Sequence, residues 1–394
     1  MSFQKAFAHI KEEAQKIQIT PPEFGSPVLI KMRDLSLKND FILFGCGIVG
    51  KYNARWLRSL NARIAGVCDS NKTGVFAETG QEIMSPQMLR EKYPDAIILI
   101  ASGKYIPEIK EMLKQLGFSD SQIYICDVTS QFMKRPLNLD EFMDKHYSGF
   151  EWAYSQLTDD SSREALLASI RSNLLYLPMT INTSSPEYYE RGIIELKDGE
   201  VFIDVGAHVG ETVLQFIMEA KQANIHNWKA YAFEADAKKY EDIERNVSEY
   251  IESVEIVPKG LWSEDTELDF VYRTSEVTSG TFLINDMERN AFRDLTLGGG
   301  DTLKLTSLDA YFKHIPQKDW PTFIKMNIEG SEIEALKGSK EVLRVKQSKL
   351  AISVYHLVDH PYECMRIAKE CVPGYRFYYR NYLAGYSKTV LYAV

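Results

Sequence analysis

At 394 residues the chain exceeds what one ordinary hydrophobic core organises, so two domains are expected, each able to bury a substantial interior. Its 46 Lys and Arg against 55 Asp and Glu give a net charge of -9 with no basic block along any segment; this excludes nucleic acid as the expected partner, because phosphate neutralisation needs clustered positive charge. The five cysteines, Cys46, Cys68, Cys126, Cys364 and Cys371, are odd in number, scattered and without zinc-type spacing, as in a cytoplasmic protein with reduced thiols.

The opening segment MSFQKAFAHIKEEAQKIQI alternates apolar and charged residues at helical spacing, which predicts a surface or docking helix and lacks the apolar stretch of a secretory signal. No membrane span is expected: the longest apolar runs, such as AIILIA at 96–101, have the length of buried strands and fall far short of about 20 residues. From Phe41 the strand FILFG enters the turn Gly45-Cys46-Gly47-Ile48-Val49-Gly50 and the helix KYNARWLRSL, and the strand RIAGVCD ends on Asp69. A turn-rich segment, the helix PQMLREKY, the strand AIILIAS, the helix PEIKEMLKQLGF and the strand QIYIC complete a small Rossmann-like α/β domain over residues 1–127. Asp69 lies 19 residues beyond Gly50, close to the spacing of a ribose-binding carboxylate. The sheet is only about half of a doubly wound fold, however, and no residues for hydride transfer stand out. The unit resembles the small Rossmann-like domains at the front of nucleotide-sugar-modifying and sialic-acid-type acyltransferase proteins, which implies a docking or substrate-presenting role.

Residues 128–190 read as a helical bridge, with LDEFMDKHYSGFEWAYSQL and SSREALLASIRSNLLYL ahead of the turn-forming PMTINTSSP. A second alternating series fills residues 191–394, with strands VFIDV, KAYAFEA, VEIVPKGLW, TFIKMNI and LAISVYH, then YRFYYRNY and TVLYAV joined by LAGYSK. So short a link forces the last pair to be antiparallel. Five parallel strands plus a C-terminal hairpin is the layout of a class I methyltransferase sheet.

In an open parallel sheet, ligands bind beyond the carboxyl ends of the strands. Strand VFIDV ends in Asp204-Val205-Gly206-Ala207-His208-Val209-Gly210 and runs into a helix. Small residues at Gly206 and Ala207 let the backbone approach a ligand, Gly210 lets helix and strand pack closely, and the helix start offers free amides. Asp204 is placed to orient the turn and meet an ammonium group. The next strand ends at Glu234, whose carboxylate suits both hydroxyls of a ribose. By themselves these are also the features of any glycine turn in an α/β fold.

The segments YYERGIIELKDGEVFIDVGAHVGET, AYAFEAD, LTSLDAYF, FIKMNIEGSEIEALKGSKEVL and LAISVYHLVDH occur in the order and spacing of the FkbM family of methyltransferases, over about residues 186–394. That resemblance implies a class I fold binding S-adenosylmethionine through Asp204, Gly206, Gly210 and Glu234, with Ala207, His208, Thr212, Ala235 and Asn327 beside them and Gly260 and Leu261 near the adenine. It also implies a hydroxyl acceptor on a polysaccharide, glycolipid or polyketide-like molecule. Two positions depart from the family: Asn327 stands where Asp is usual and His208 where Asn is usual. Asn327 keeps hydrogen bonding but loses a charge, so no metal ion is expected.

A hydroxyl acceptor gains from losing its proton to a base as the new bond forms. Candidates at the right strand ends are His356, the first choice, and Glu329; Glu332 reads as a helix-start residue favoured by the dipole. Tyr188 and Tyr189 are either an aromatic wall over the cofactor or packing. Acceptor contacts are expected on inserted loops such as 273–303. The rival reading is a nicotinamide-dependent oxidoreductase or nucleotide-sensing protein that uses Gly45 to Asp69.

Overall fold

The structure, a computed structural model, describes residues 2–16, 27–59, 61–102, 105–125, 139–175, 183–272, 280–282, 300–382 and 388–394. Two compact units divide the chain: the first gathers 1–155, 160–183 and 380–389, the second 156–159, 184–379 and 390–394. No described helix is long and apolar enough to cross a membrane.

In the first unit a six-stranded sheet contains β1 (Phe41–Phe44), β2 (Gly66–Cys68), β3 (Val75–Phe76), β4 (Gln81–Met84), β5 (Ile97–Ile100) and β6 (Ile123–Ile125), in the order β3-β4-β2-β1-β5-β6. All pairings are parallel except β3 with β4, a hairpin inside what the sequence offers only as turn-rich. The continuous apolar runs follow from burial on both faces: Phe41, Leu43 and Leu99 join one core, Ile42, Phe44, Ile98 and Ile100 the other, at the two-residue period of a strand.

The dinucleotide-like spacing has a local explanation. Asp69 Oδ2 accepts the Cys46 amide at 2.8 Å, and Oδ1 accepts the Asn71 and Lys72 amides at 2.9 and 3.0 Å, so the carboxylate ties the glycine turn to its own loop. A Cβ on Gly50 would lie 1.9 Å from the Gly45 carbonyl oxygen, so helix-to-strand packing alone requires that glycine. The first helix, Phe3–Lys16, buries Phe3, Phe7 and Ile10, with Phe7 5.5 Å from the Phe142 ring and Phe3 5.3 Å from that of Tyr147. Of the stretch 128–190, the helices Leu139–Lys145 and Asp160–Leu175 cluster with the first unit, whereas 184–190 cluster with the second.

A seven-stranded sheet contains β7 (Glu200–Val205), β8 (Trp228–Phe233), β9 (Val254–Val257), β14 (Phe323–Met326), β15 (Lys349–Ser353), β16 (Phe377–Asn381) and β17 (Thr389–Ala393), in the order β16-β17-β15-β14-β7-β8-β9. The first five run parallel, and β17 lies antiparallel to β15. Arg376 and Val394 exchange both backbone hydrogen bonds, the mark of an antiparallel pair, so the terminal hairpin closes as expected. This is the class I methyltransferase sheet. Its order reverses between β7 and β14, the switch point where ligands of such sheets collect.

The run VEIVPKGLW is two strands, because Pro258 has no amide to continue the ladder; β9 stops before it and β10 (Gly260–Leu261) starts a separate sheet. That sheet has the order β10-β13-β11-β12, with β11 (Thr266–Tyr272), β12 (Gly280–Phe282) and β13 (Gly300–Thr306). Much of the segment 273–303 expected to carry acceptor contacts is thus outside the described residues, as are Cys126 and 383–387 of the hairpin link.

Candidate active site

The ends of β7, β8 and β14 converge on one cavity of about 410 Å³. Beyond β7 the chain turns sharply: Gly206, His208 and Gly210 all have positive φ, at 78°, 53° and 84°. A Cβ on Gly206 would sit 2.2 Å from the Asn327 carbonyl oxygen, so no other residue fits between these two strand ends. His208 occupies the left-handed region in which Asn is the usual non-glycine residue, so its backbone conformation and not its imidazole explains a polar residue there.

Glu234, at the end of β8, holds this turn. Its Oε2 accepts the His208 amide and its Oε1 the Asp236 amide, both at 2.8 Å. Burial raises the Glu234 pKa, and these two amides oppose the rise. Each oxygen keeps a further lone pair for a ligand hydroxyl.

Gly206, Ala207, His208 and Thr212 line the cavity, together with Glu234, Ala235, Gly260, Leu261, Asn327 and Glu329. Three expected residues do not. Gly210 is the helix cap behind the turn, and Asp204 and His356 are buried. The parallel register sets Asp204 directly opposite Lys325, and Lys325 Nζ lies 2.6 Å from Asp204 Oδ1 and 3.0 Å from the Gly206 carbonyl oxygen. The ammonium that Asp204 meets therefore belongs to Lys325, which itself lines the cavity. Burial raises the Asp204 pKa while Lys325 pulls it down. A strand residue flanked by Ile324 and Met326 gives no sequence signal of this; only the register does.

Sequence reasoning also missed Phe270 on β11 and Leu303 on β13, which pack with Ala235 as an apolar wall of the cavity. Their signal is absent because β11 and β13 lie outside the main alternating series. Tyr188 and Tyr189 do not line the cavity: Tyr188 hydroxyl meets Ser353 Oγ at 3.1 Å, and Tyr189 packs edge-on to Phe323 at 5.7 Å. Packing is their role.

Past β14 the turn Asn327-Ile328-Glu329-Gly330 is held by the residue that follows it. Glu332 is fully buried at the start of the helix Glu332–Lys337; its Oε1 accepts the Ile328 amide at 2.9 Å and its Oε2 the Gly330 amide at 3.1 Å. His356 Nδ1 lies 2.9 Å from Oε1 and His360 Nδ1 3.3 Å from Oε2. Burial works against the Glu332 charge, but His356, His360 and the Ile328 amide outweigh it and bring its pKa down to about 2. The ligand-type atoms of Glu332, His356 and His360 lie within 4.8 Å of one another, close enough to hold a cation.

His356, expected as the base, is 1% exposed and stands behind the cavity wall, with Nε2 3.9 Å from Glu329 Oε2. Glu329 is 28% exposed, lines the cavity and has φ of 57°. Of the two expected base candidates, Glu329 is therefore the one that reaches the cavity.

Residues 204–370 match the family model described as the methyltransferase FkbM domain. No curated protein matches the chain. Among solved structures, a methyltransferase FkbM from Methylobacillus flagellatus KT is similar at 18% identity over 98% of each chain, with a TM-score of 0.65, a likeness of fold. Aeropyrum pernix fibrillarin, solved with natively bound S-adenosyl-L-methionine, is far more distant, at 10% identity, 52% of this chain, 71% of its own and a TM-score of 0.31.

Proposed function

From the premise that residues 204–370 carry a methyltransferase FkbM domain, we propose that the chain is an S-adenosylmethionine-dependent O-methyltransferase acting on a hydroxyl of a small-molecule or glycan acceptor. The observation that supports it most is Glu234: a carboxylate at the end of β8, fixed by two amides, bordering the cavity and keeping acceptor capacity for a vicinal diol.

The rest of the cavity suits the same cofactor. Its volume is that of a site for one nucleoside-sized ligand. Leu261, Phe270 and Leu303 offer an apolar surface for a purine, and the turn Gly206-Ala207-His208 brings backbone close to the ribose and amino-acid portions. S-adenosylmethionine supplies, when bound, an electrophilic methyl group on sulfonium. Lys325 neutralises Asp204 and keeps the turn rigid around Gly206. Glu329 is the residue placed to take the acceptor's proton, which assigns the base role to the second of the two expected candidates.

No metal is part of this reading: Asn327 is a carboxamide whose Oδ1 accepts the Tyr355 hydroxyl at 3.3 Å, which leaves Glu329 as a thin ligand set for a hard cation. A nicotinamide site at Gly45 to Asp69 has less support, because three amides meet the Asp69 carboxylate and leave it one lone pair, too few for both hydroxyls of a ribose. Calorimetric titration of the full chain with S-adenosylmethionine, S-adenosylhomocysteine and NAD(P) is the test. Binding of the two adenosyl ligands at micromolar or lower concentration is expected; binding of NAD(P) alone would replace this function with the oxidoreductase one.

A further inference from the structure

Two residues past Glu234 a second carboxylate borders the cavity. Asp236 is 7% exposed, and its two oxygens have different surroundings. Oδ1 accepts the Lys238 amide at 3.0 Å, at the start of the short helix Ala237–Lys239, whereas among the described residues no donor reaches the buried Oδ2. The nearby ammonium of Lys238 turns instead to Asp301, with Nζ 2.7 Å from Oδ2 of that residue. A buried acceptor without a donor carries its full desolvation cost, so a carboxylate oxygen in a cavity wall calls for a donor on the molecule that fills the cavity.

Glu234 indicates which donor that is. Its Oε2 accepts the His208 amide and its Oε1 the Asp236 amide, so the carboxylate stands between the turn after β7 and Asp236. A ribose held by Glu234 has that turn on one side and Asp236 on the other. Ala235, between the two acidic residues in the chain, packs with Phe270 and Leu303 in the apolar wall, so the Asp236 side is the side of the purine. S-adenosylmethionine carries three kinds of donor: two ribose hydroxyls, the ammonium of its amino-acid portion and the exocyclic amino group of its purine. The hydroxyls are met by Glu234 and the amino-acid portion lies at the β7 turn, which leaves the exocyclic amino group for Asp236.

We propose that Asp236 Oδ2 accepts a hydrogen bond from the exocyclic amino group of the bound purine and makes the cavity selective for 6-aminopurine over 6-oxopurine ligands. This subsite rests on the methyl-transfer function above. A 6-oxopurine would set its carbonyl oxygen against Oδ2, two acceptors with no hydrogen between them, and a site built to receive a donor rejects a ligand that lacks it far more strongly than an apolar pocket does. Beyond its place one residue after Ala235, nothing in the sequence distinguishes Asp236 from an ordinary turn residue, because the capping bond of Oδ1 is what an aspartate at a helix start usually makes.

Calorimetric titration of the full chain with S-adenosylhomocysteine and with S-inosylhomocysteine, its 6-oxo analogue, tests this. The parent chain should bind the amino ligand tighter by about a hundred-fold or more. In Asp236→Asn the carboxamide oxygen stays with the Lys238 amide and the NH2 group takes the place of Oδ2, a donor where an acceptor stood. S-adenosylhomocysteine should then weaken by about tenfold or more while S-inosylhomocysteine tightens, so the preference collapses. A merely structural cap would leave the ratio of the two affinities as it is. Equal affinity of the parent chain for both ligands, or an unchanged ratio in Asp236→Asn, including the equal loss of both that a ribose contact would give, would overturn the subsite; the parent ratio decides even if the variant does not fold. Failure of the parent chain to bind either ligand would instead remove the methyl-transfer function, and the subsite with it.

Discussion

Replacement of Glu234 by Ala separates what this carboxylate does for the fold from what it does for a ligand. In the protein it accepts the His208 and Asp236 amides at 2.8 Å each, so deletion leaves two donors without their charged acceptor. A hydrogen bond to a charged group contributes about 1.5 to 3 kcal/mol; because both amides border the cavity turn, where water can replace the lost acceptor, the lower end applies, and a total loss of about 3 kcal/mol is expected. For a unit of roughly 200 residues that corresponds to a fall in Tm of about 6 to 12 °C. Loss of a diol-binding carboxylate should in addition weaken S-adenosylhomocysteine by about ten- to a hundred-fold. Glu234→Gln keeps one acceptor oxygen and should fall between the two. Calorimetric titration and thermal melts of the full chain read the effects separately. A lower Tm with unchanged ligand affinity would refute the ribose role; an unchanged Tm would refute the part assigned to the two amides.

Lys325→Met should destabilise the chain by about 3 to 5 kcal/mol, since Asp204 would be a buried charge without its partner, and Lys325→Met with Asp204→Asn should recover much of the Tm; equal Tm values for parent and single variant would contradict this. The Glu332 pKa is lowered from 4.5 to about 2 in the folded chain, so its contribution to stability is complete above pH 4.5 and lost as pH falls towards 2. The Tm gap between the parent chain and Glu332→Gln should therefore be widest at neutral pH and shrink below pH 4, and a gap independent of pH would count against the charged form. Glu329→Gln should slow methyl transfer to a glycoside or polyol acceptor by about a hundred-fold or more, measured as release of S-adenosylhomocysteine, with ligand affinity kept; full activity would hand the proton to solvent. Methyl transfer should persist in excess chelator, and loss restored by added Mg²⁺ would refute the metal-free site.

The sequence by itself determined the alternation of strands and helices, the antiparallel closing hairpin and the cavity-lining residues at strand ends, Gly206, Ala207, Glu234 and Glu329, while the family resemblance supplied Thr212, Ala235, Gly260, Leu261 and Asn327. These are local properties: apolar runs bounded by glycine turns make strands, six intervening residues cannot make a parallel crossover, and ligand contacts gather where strands end. Even the position of Glu234 is local, since it directly follows the last residue of a readable strand.

Tertiary structure decided the rest, because those facts depend on which residues lie across from each other. Asp204 looked open to a ligand until the register with β14 put Lys325 against it. Asp69 had the spacing of a ribose carboxylate, yet the fold returns it to the Cys46 amide. Phe270 and Leu303 reach the cavity only because a second small sheet folds beside Gly260. Glu332 and His356 are 24 residues apart in the chain, and no periodicity links them. Packing of the loop after β15 against the turn after β14 makes them neighbours and buries both, and of the two expected base candidates only Glu329 lines the cavity.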